Sequence, residues 1–94
     1  MLYMMEWSIK SGCAEKAVHR FLDTGAPMPT GLTQVGRYHA PGSAKGWLLV
    51  DTDDVGMVYK HASEWAELLD WTTTPVVTDK VAGEMSSSVW KNVD

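Results

Sequence analysis

The chain is short of the residues that mark most specialised functions, and each shortage excludes something. Cys13 is its single cysteine, so no intramolecular disulfide can form, and a lone thiol fits a reducing compartment. Eight lysines and arginines face twelve aspartates and glutamates, for a formal charge of −4. The basic residues are scattered singly, whereas neutralising phosphates requires them on one face, so nucleic acid is not an expected partner. No apolar run approaches the roughly 20 residues of a membrane-spanning helix, so no membrane is expected either. No basic, apolar leader opens at Met1, and the cytoplasm is the expected location. A Gly-rich phosphate loop, a Cys-x-x-Cys pair, a nucleophile elbow and a His-Glu-x-x-His motif are all missing. No cofactor is implied, and whether the protein is an enzyme stays open.

Apolar surface is what the chain has in quantity. Leu2–Trp7 (LYMMEW) and Trp47–Val50 (WLLV) are apolar on both strand faces, the pattern of strands covered on both sides. The other candidate strands, Thr33–His39 and Thr72–Thr78, are far more polar. A chain this short buries only about 60–65 % of its unfolded surface. With no disulfide or metal to supplement that core, association is the common remedy. Five tryptophans in 94 residues supply the kind of surface that dominates interfaces and flat-ligand pockets.

The order of elements follows from changes in hydrophobic period. A strand over about Leu2–Ile9 leads to a helix over Cys13–Asp23, with Ala14, Ala17, Val18 and Phe21 on one face and Ser11 or Gly12 as its cap. Thr24-Gly25 ends that helix. Ala26–Gly31 is a Pro-rich connection to a strand at about Leu32–His39, and Ala40–Ser43 turns into a strand at about Lys45–Asp51. Asp51–Asp54 opens a second helix over about Val55–Leu69, expected to bury Val55, Val58, Tyr59, Ala62, Trp65, Ala66 and Leu69. The last strand is about Trp71–Thr78, and Pro75 suits an edge. Right-handed crossovers then give a ferredoxin-like α+β domain, βαββαβ, over residues 1–79. Its antiparallel sheet has order 4-1-3-2, with two helices on one face and the apolar strands central. A second copy is expected to cover the other face. Residues 80–94 form a C-terminal extension in which Val81, Met85, Val89 and Val93 recur every four residues beside Trp90. The expectation is a frayed tail or an arm docked on the domain or the partner subunit.

The segments MLYMMEWSIKSGCAEKAVHRF, PTGLTQVGRYHA and EWAELLDWTTTPVV resemble an uncharacterised bacterial family in the dimeric α/β-barrel superfamily. The matching features are Met1–Met4, Gly12, Pro29–Leu32, Trp65, Asp70-Trp71 and Pro75-Val76, over about residues 1–79. The resemblance implies a homodimeric barrel. The superfamily includes cofactor-free monooxygenases, isomerases, haem proteins and members with no known activity, so fold does not imply function.

Three residues are candidates for catalysis. Arg37 and His39, two apart in a strand, share a face. In a cavity Arg37 would bind an anionic oxygen and His39 would move a proton near neutral pH; on a solvated edge both would be ordinary edge residues. Glu6 interrupts an apolar central strand, as a general base, in a structural pair of the Glu6–Arg37 type, or at a strand end reaching solvent. Trp7, Trp47 and Trp65, with Tyr59 and His61, are the expected ligand-binding set, and Trp71 could join the tryptophans in flooring a pocket. Core and interface packing is the competing account of the tryptophans. His61 and Glu64 have i, i+3 spacing but lack the further ligands of a zinc site, so no metal is expected.

The expected function is a homodimer binding a small apolar or aromatic molecule. The alternatives are a cofactor-free monooxygenase or isomerase, and a structural or partner-binding dimer without a cavity. A cavity between the second helix and the sheet would separate them.

Overall fold

Alternation along the first strand, β1 (Leu2–Ile9), divides the molecule into two sides. Tyr3, Met5 and Trp7 are buried, whereas Leu2, Met4 and Glu6 on the opposite side are half-exposed. In the computed structural model, which describes residues 1–90, β1 pairs antiparallel with β3 (Lys45–Asp51) and β4 (Leu69–Val76). The remaining strand, β2 (Thr33–His39), pairs antiparallel with β3, giving the order β2-β3-β1-β4. This is the expected 4-1-3-2 order read from the other edge, with the two apolar strands central. Pro75 lies in the edge strand β4 opposite Tyr3, where a missing N–H donor is tolerated. Val35 forms a bulge between Gln34 and Gly36 and is itself exposed.

Helices α1 (Ala14–Thr24) and α2 (Val55–Trp65) cover one face. Cys13 occupies the N-cap of α1 without a side-chain hydrogen bond, and Gly25 ends the helix at φ 72°, donating its N–H to the Phe21 carbonyl. That left-handed turn is one that glycine makes without steric cost. Asp54 caps α2, its Oδ1 accepting from the Gly56 N–H at 2.8 Å. Arg20 joins the helices, its guanidinium 4.5 Å above the Trp65 ring and donating to the Glu64 carbonyl. Met5, Leu48 and Val50 are the fully buried centre of the core.

Two expectations need correction in this region. The second helix stops at Trp65 instead of Leu69, and β4 runs Leu69–Val76 instead of Trp71–Thr78. The β1 ladder is the cause: Ile9 pairs with Leu69, and the Lys10 N–H donates to the Leu68 carbonyl at 2.9 Å. The buried stripe of α2 is Val58, His61 and Trp65, while Val55, Tyr59 and Ala66 face outward. Buried Leu68 in the following turn takes the place expected for Ala66.

A third helix, α3 (Asp79–Trp90), follows two residues after β4, and all of its residues are exposed. It carries Val81, Met85, Val89 and Trp90 along the molecule; Val93, the next member of that pattern, lies outside the described residues. The radius of gyration is 16.2 Å, above the roughly 12 Å of a compact chain this long.

Candidate ligand-binding cavity

Glycine at position 46 shapes the helix-covered side of the sheet. In β3, Gly46 is paired with Trp7 on one side and His39 on the other. With no side chain between them, the Trp7 and His39 rings meet across the strand at 5.1 Å, edge to face. Trp7 also meets Trp71, its register partner in β4, at 6.2 Å, and Trp71 meets His61 of α2 at 5.9 Å. Phe21 of α1 lies 5.2 Å from His39. These rings surround a cavity of about 270 Å³ between the helices and the sheet, with Leu48, Trp65 and Leu69 in its wall. Val18 and Leu22 of α1 also line it and are exposed to solvent, so they mark its mouth.

Polar groups converge on this apolar space from β2, α2 and the β2–β3 turn. Arg37 is half-buried, with Nη1 donating to the Ala26 carbonyl at 2.9 Å and Nη2 to the Gly25 carbonyl at 3.1 Å. Its guanidinium lies 5.2 Å from the Phe21 ring centre. Lost hydration lowers the Arg37 pKa from its ordinary value, without removing its charge near neutrality. His39 Nδ1 and Ser43 Oγ share a hydrogen bond at 3.2 Å. Desolvation and, after it, the nearby Arg37 charge lower the His39 pKa, favouring neutral imidazole.

His61 is 2 % exposed and is also held toward neutrality, chiefly by burial. Glu64 opposes that shift and Arg37 adds to it. Glu64 Oε1 comes within 3.4 Å of His61 Nδ1, the contact through which it opposes the effect of burial.

Of the residues expected to carry function, Arg37, His39, His61, Trp7 and Trp65 all line the cavity. Glu6, Trp47 and Tyr59 do not. Strand alternation turns Glu6 and Trp47 to the open face, where Glu6 pairs with Lys45 at 3.0 Å and Lys45 lies 5.5 Å from the Trp47 ring. That arrangement also rules out the Glu6–Arg37 pair. Tyr59 is 78 % exposed on the outer side of α2. Phe21 and Ser43 complete the wall without having been expected there. The lone Gly46 in an apolar strand is the signal that was available, since such a glycine marks close approach of a neighbour. Among the described residues, no three His, Cys, Asp or Glu side chains gather to hold a metal ion.

A family model for a domain of unknown function, DUF3303, matches residues 1–89. The chain belongs to that family. The match runs through most of α3, beyond the boundary near residue 79 at which the sequence resemblance was drawn. No curated protein and no solved structure matches the chain. Among the described residues, no helix is long and apolar enough to cross a membrane.

Proposed function

We propose that this member of the DUF3303 family is a homodimeric protein of the dimeric α/β-barrel type that binds a small aromatic molecule between its helices and its sheet. The observation that carries the reading is the cavity: aromatic walls, an open mouth and four convergent polar side chains, Arg37, His39, Ser43 and His61. Ligand sites are characteristically concave and apolar with a few placed polar groups. For the second copy, the support is the uncovered face. There Leu2, Met4, Trp47 and Leu49 form an apolar patch on the central strands, and the exposed apolar residues of α3 offer further surface to a partner. An isologous contact would bury both.

Calorimetric titration with 2-naphthamide, a neutral two-ring probe, tests the site. Saturable binding that is lost in Val18→Trp, which fills the mouth, supports the proposal. Binding indifferent to that substitution, or no binding of either 2-naphthamide or its acid analogue 2-naphthoate, contradicts it. A second reading, cofactor-free isomerisation or oxygenation, draws on His39, a neutral imidazole at the cavity wall able to accept a proton. It requires His39-dependent solvent-deuterium exchange or O2 consumption with the bound aromatic molecule, and binding with neither leaves a carrier.

A further inference from the structure

We propose that the cavity selects an aromatic acid, a flat apolar molecule carrying a carboxylate or similar anionic oxygen that pairs with Arg37. This rests on the cavity being a ligand site and adds the charge of the ligand. The wall contains no aspartate or glutamate, although the chain as a whole carries a formal charge of −4. Arg37 is the wall's one permanently charged side chain, and it enters no ion pair with a carboxylate among the described residues.

The two carbonyls that hold Arg37 follow the end of α1, so one edge of the guanidinium is fixed. A guanidinium has five N–H donors in a planar fork, and the two carbonyls engage only two of them. A cation held rigidly, partly desolvated and unneutralised at the edge of an apolar space is a receptor for an anionic oxygen. His39, on the same face two residues along β2, is placed to donate to or accept from a second oxygen. The volume of about 270 Å³ falls just below the usual range for ligand pockets, about 300–1,000 Å³. One or two rings are the size it favours.

The competing account makes Arg37 only a clamp on the end of α1, and the test must separate the two. The intact chain is titrated calorimetrically with 2-naphthoate and with 2-naphthamide, which share a shape and differ in charge. The inference expects 2-naphthoate to bind about tenfold more tightly, the scale of one charge-assisted hydrogen bond. Arg37→Gln should abolish that preference, bringing the two probes to equal affinity, and Arg37→Lys should keep part of it. Equal affinities in the wild type overturn the inference and leave the ligand site standing. Failure of both probes to bind overturns the two together. A preference that survives Arg37→Gln overturns the role given to Arg37. Should Arg37→Gln not fold, the wild-type comparison and Arg37→Lys still decide the matter.

Discussion

Gly46→Ala should damage both the fold and the cavity, and the structure says why. A methyl group added at Gly46 would run into the benzo ring of Trp7 and come 2.5 Å from the Tyr38 carbonyl oxygen. Trp7 has His39 at 5.1 Å and Trp71 at 6.2 Å beside it, so yielding would push its ring into the cavity it lines. The carbonyl belongs to the backbone of β2 and cannot move without opening the β2–β3 ladder. Overpacking costs about 1–3 kcal/mol when side chains can adjust, so a clash that also involves backbone belongs at about 3 kcal/mol or above. At about 4–8 °C per kcal/mol for a domain of this size, the melting temperature should fall by roughly 12–24 °C. Thermal unfolding followed by circular dichroism measures this, with Gly83→Ala as control because nothing lies within 4 Å of a methyl group there. Trp7→Leu combined with Gly46→Ala should cost less than the sum of the single changes, since one clash is shared. A fall below about 3 °C for Gly46→Ala, smaller than 1 kcal/mol, would refute the reasoning.

Two further outcomes follow from the open face and from His61. At micromolar concentration the chain should sediment at twice its 10.4 kDa mass; Leu49→Lys, on the half-exposed side of β3, should give a folded monomer, and removal of residues 80–94 should weaken the dimer. A 10.4 kDa species alone in the wild type would contradict the dimer. Burial lowers the pKa of His61 in the folded state, so below its unfolded value of about 6.5 the unfolded chain binds more protons and stability falls with pH. That stability is fully present above about pH 6.5 and declines toward the lower folded pKa. Melting temperatures from about pH 7 to 5 should therefore decline more steeply for wild type than for His61→Gln, and parallel curves would show that His61 does not contribute.

Much of the fold was legible because period and punctuation agreed. Two doubly apolar strands belong in the centre of a sheet, Pro75 belongs at its edge, and Gly25 and Asp54 mark helix ends. The end of α2 was not legible, because Leu68 and Leu69 suit a helix face as well as a strand. Their place was decided by pairing with Ile9 and Lys10, distant in sequence. The same kind of ambiguity affected the site. Arg37 and His39 could be assigned to one face of a strand but not to a cavity. Tyr59 looked more core-like than His61 by residue type, yet the helix buries His61. Glu6 and Trp7 are neighbours in the chain but serve opposite faces, and only β1 alternation separates the ion pair from the cavity wall.

The five tryptophans provide the most direct measurement of the central claim, that a ligand enters between helices and sheet. Trp7, Trp65 and Trp71 line the cavity, while Trp47 lies on the open face and Trp90 on α3. Indole N–H resonances, assigned by single Trp→Phe substitutions, can be followed during titration with 2-naphthoate. The account predicts saturable shifts at Trp7, Trp65 and Trp71, with Trp47 and Trp90 unmoved. Shifts confined to Trp47 or Trp90, or no shift at any indole, would contradict it.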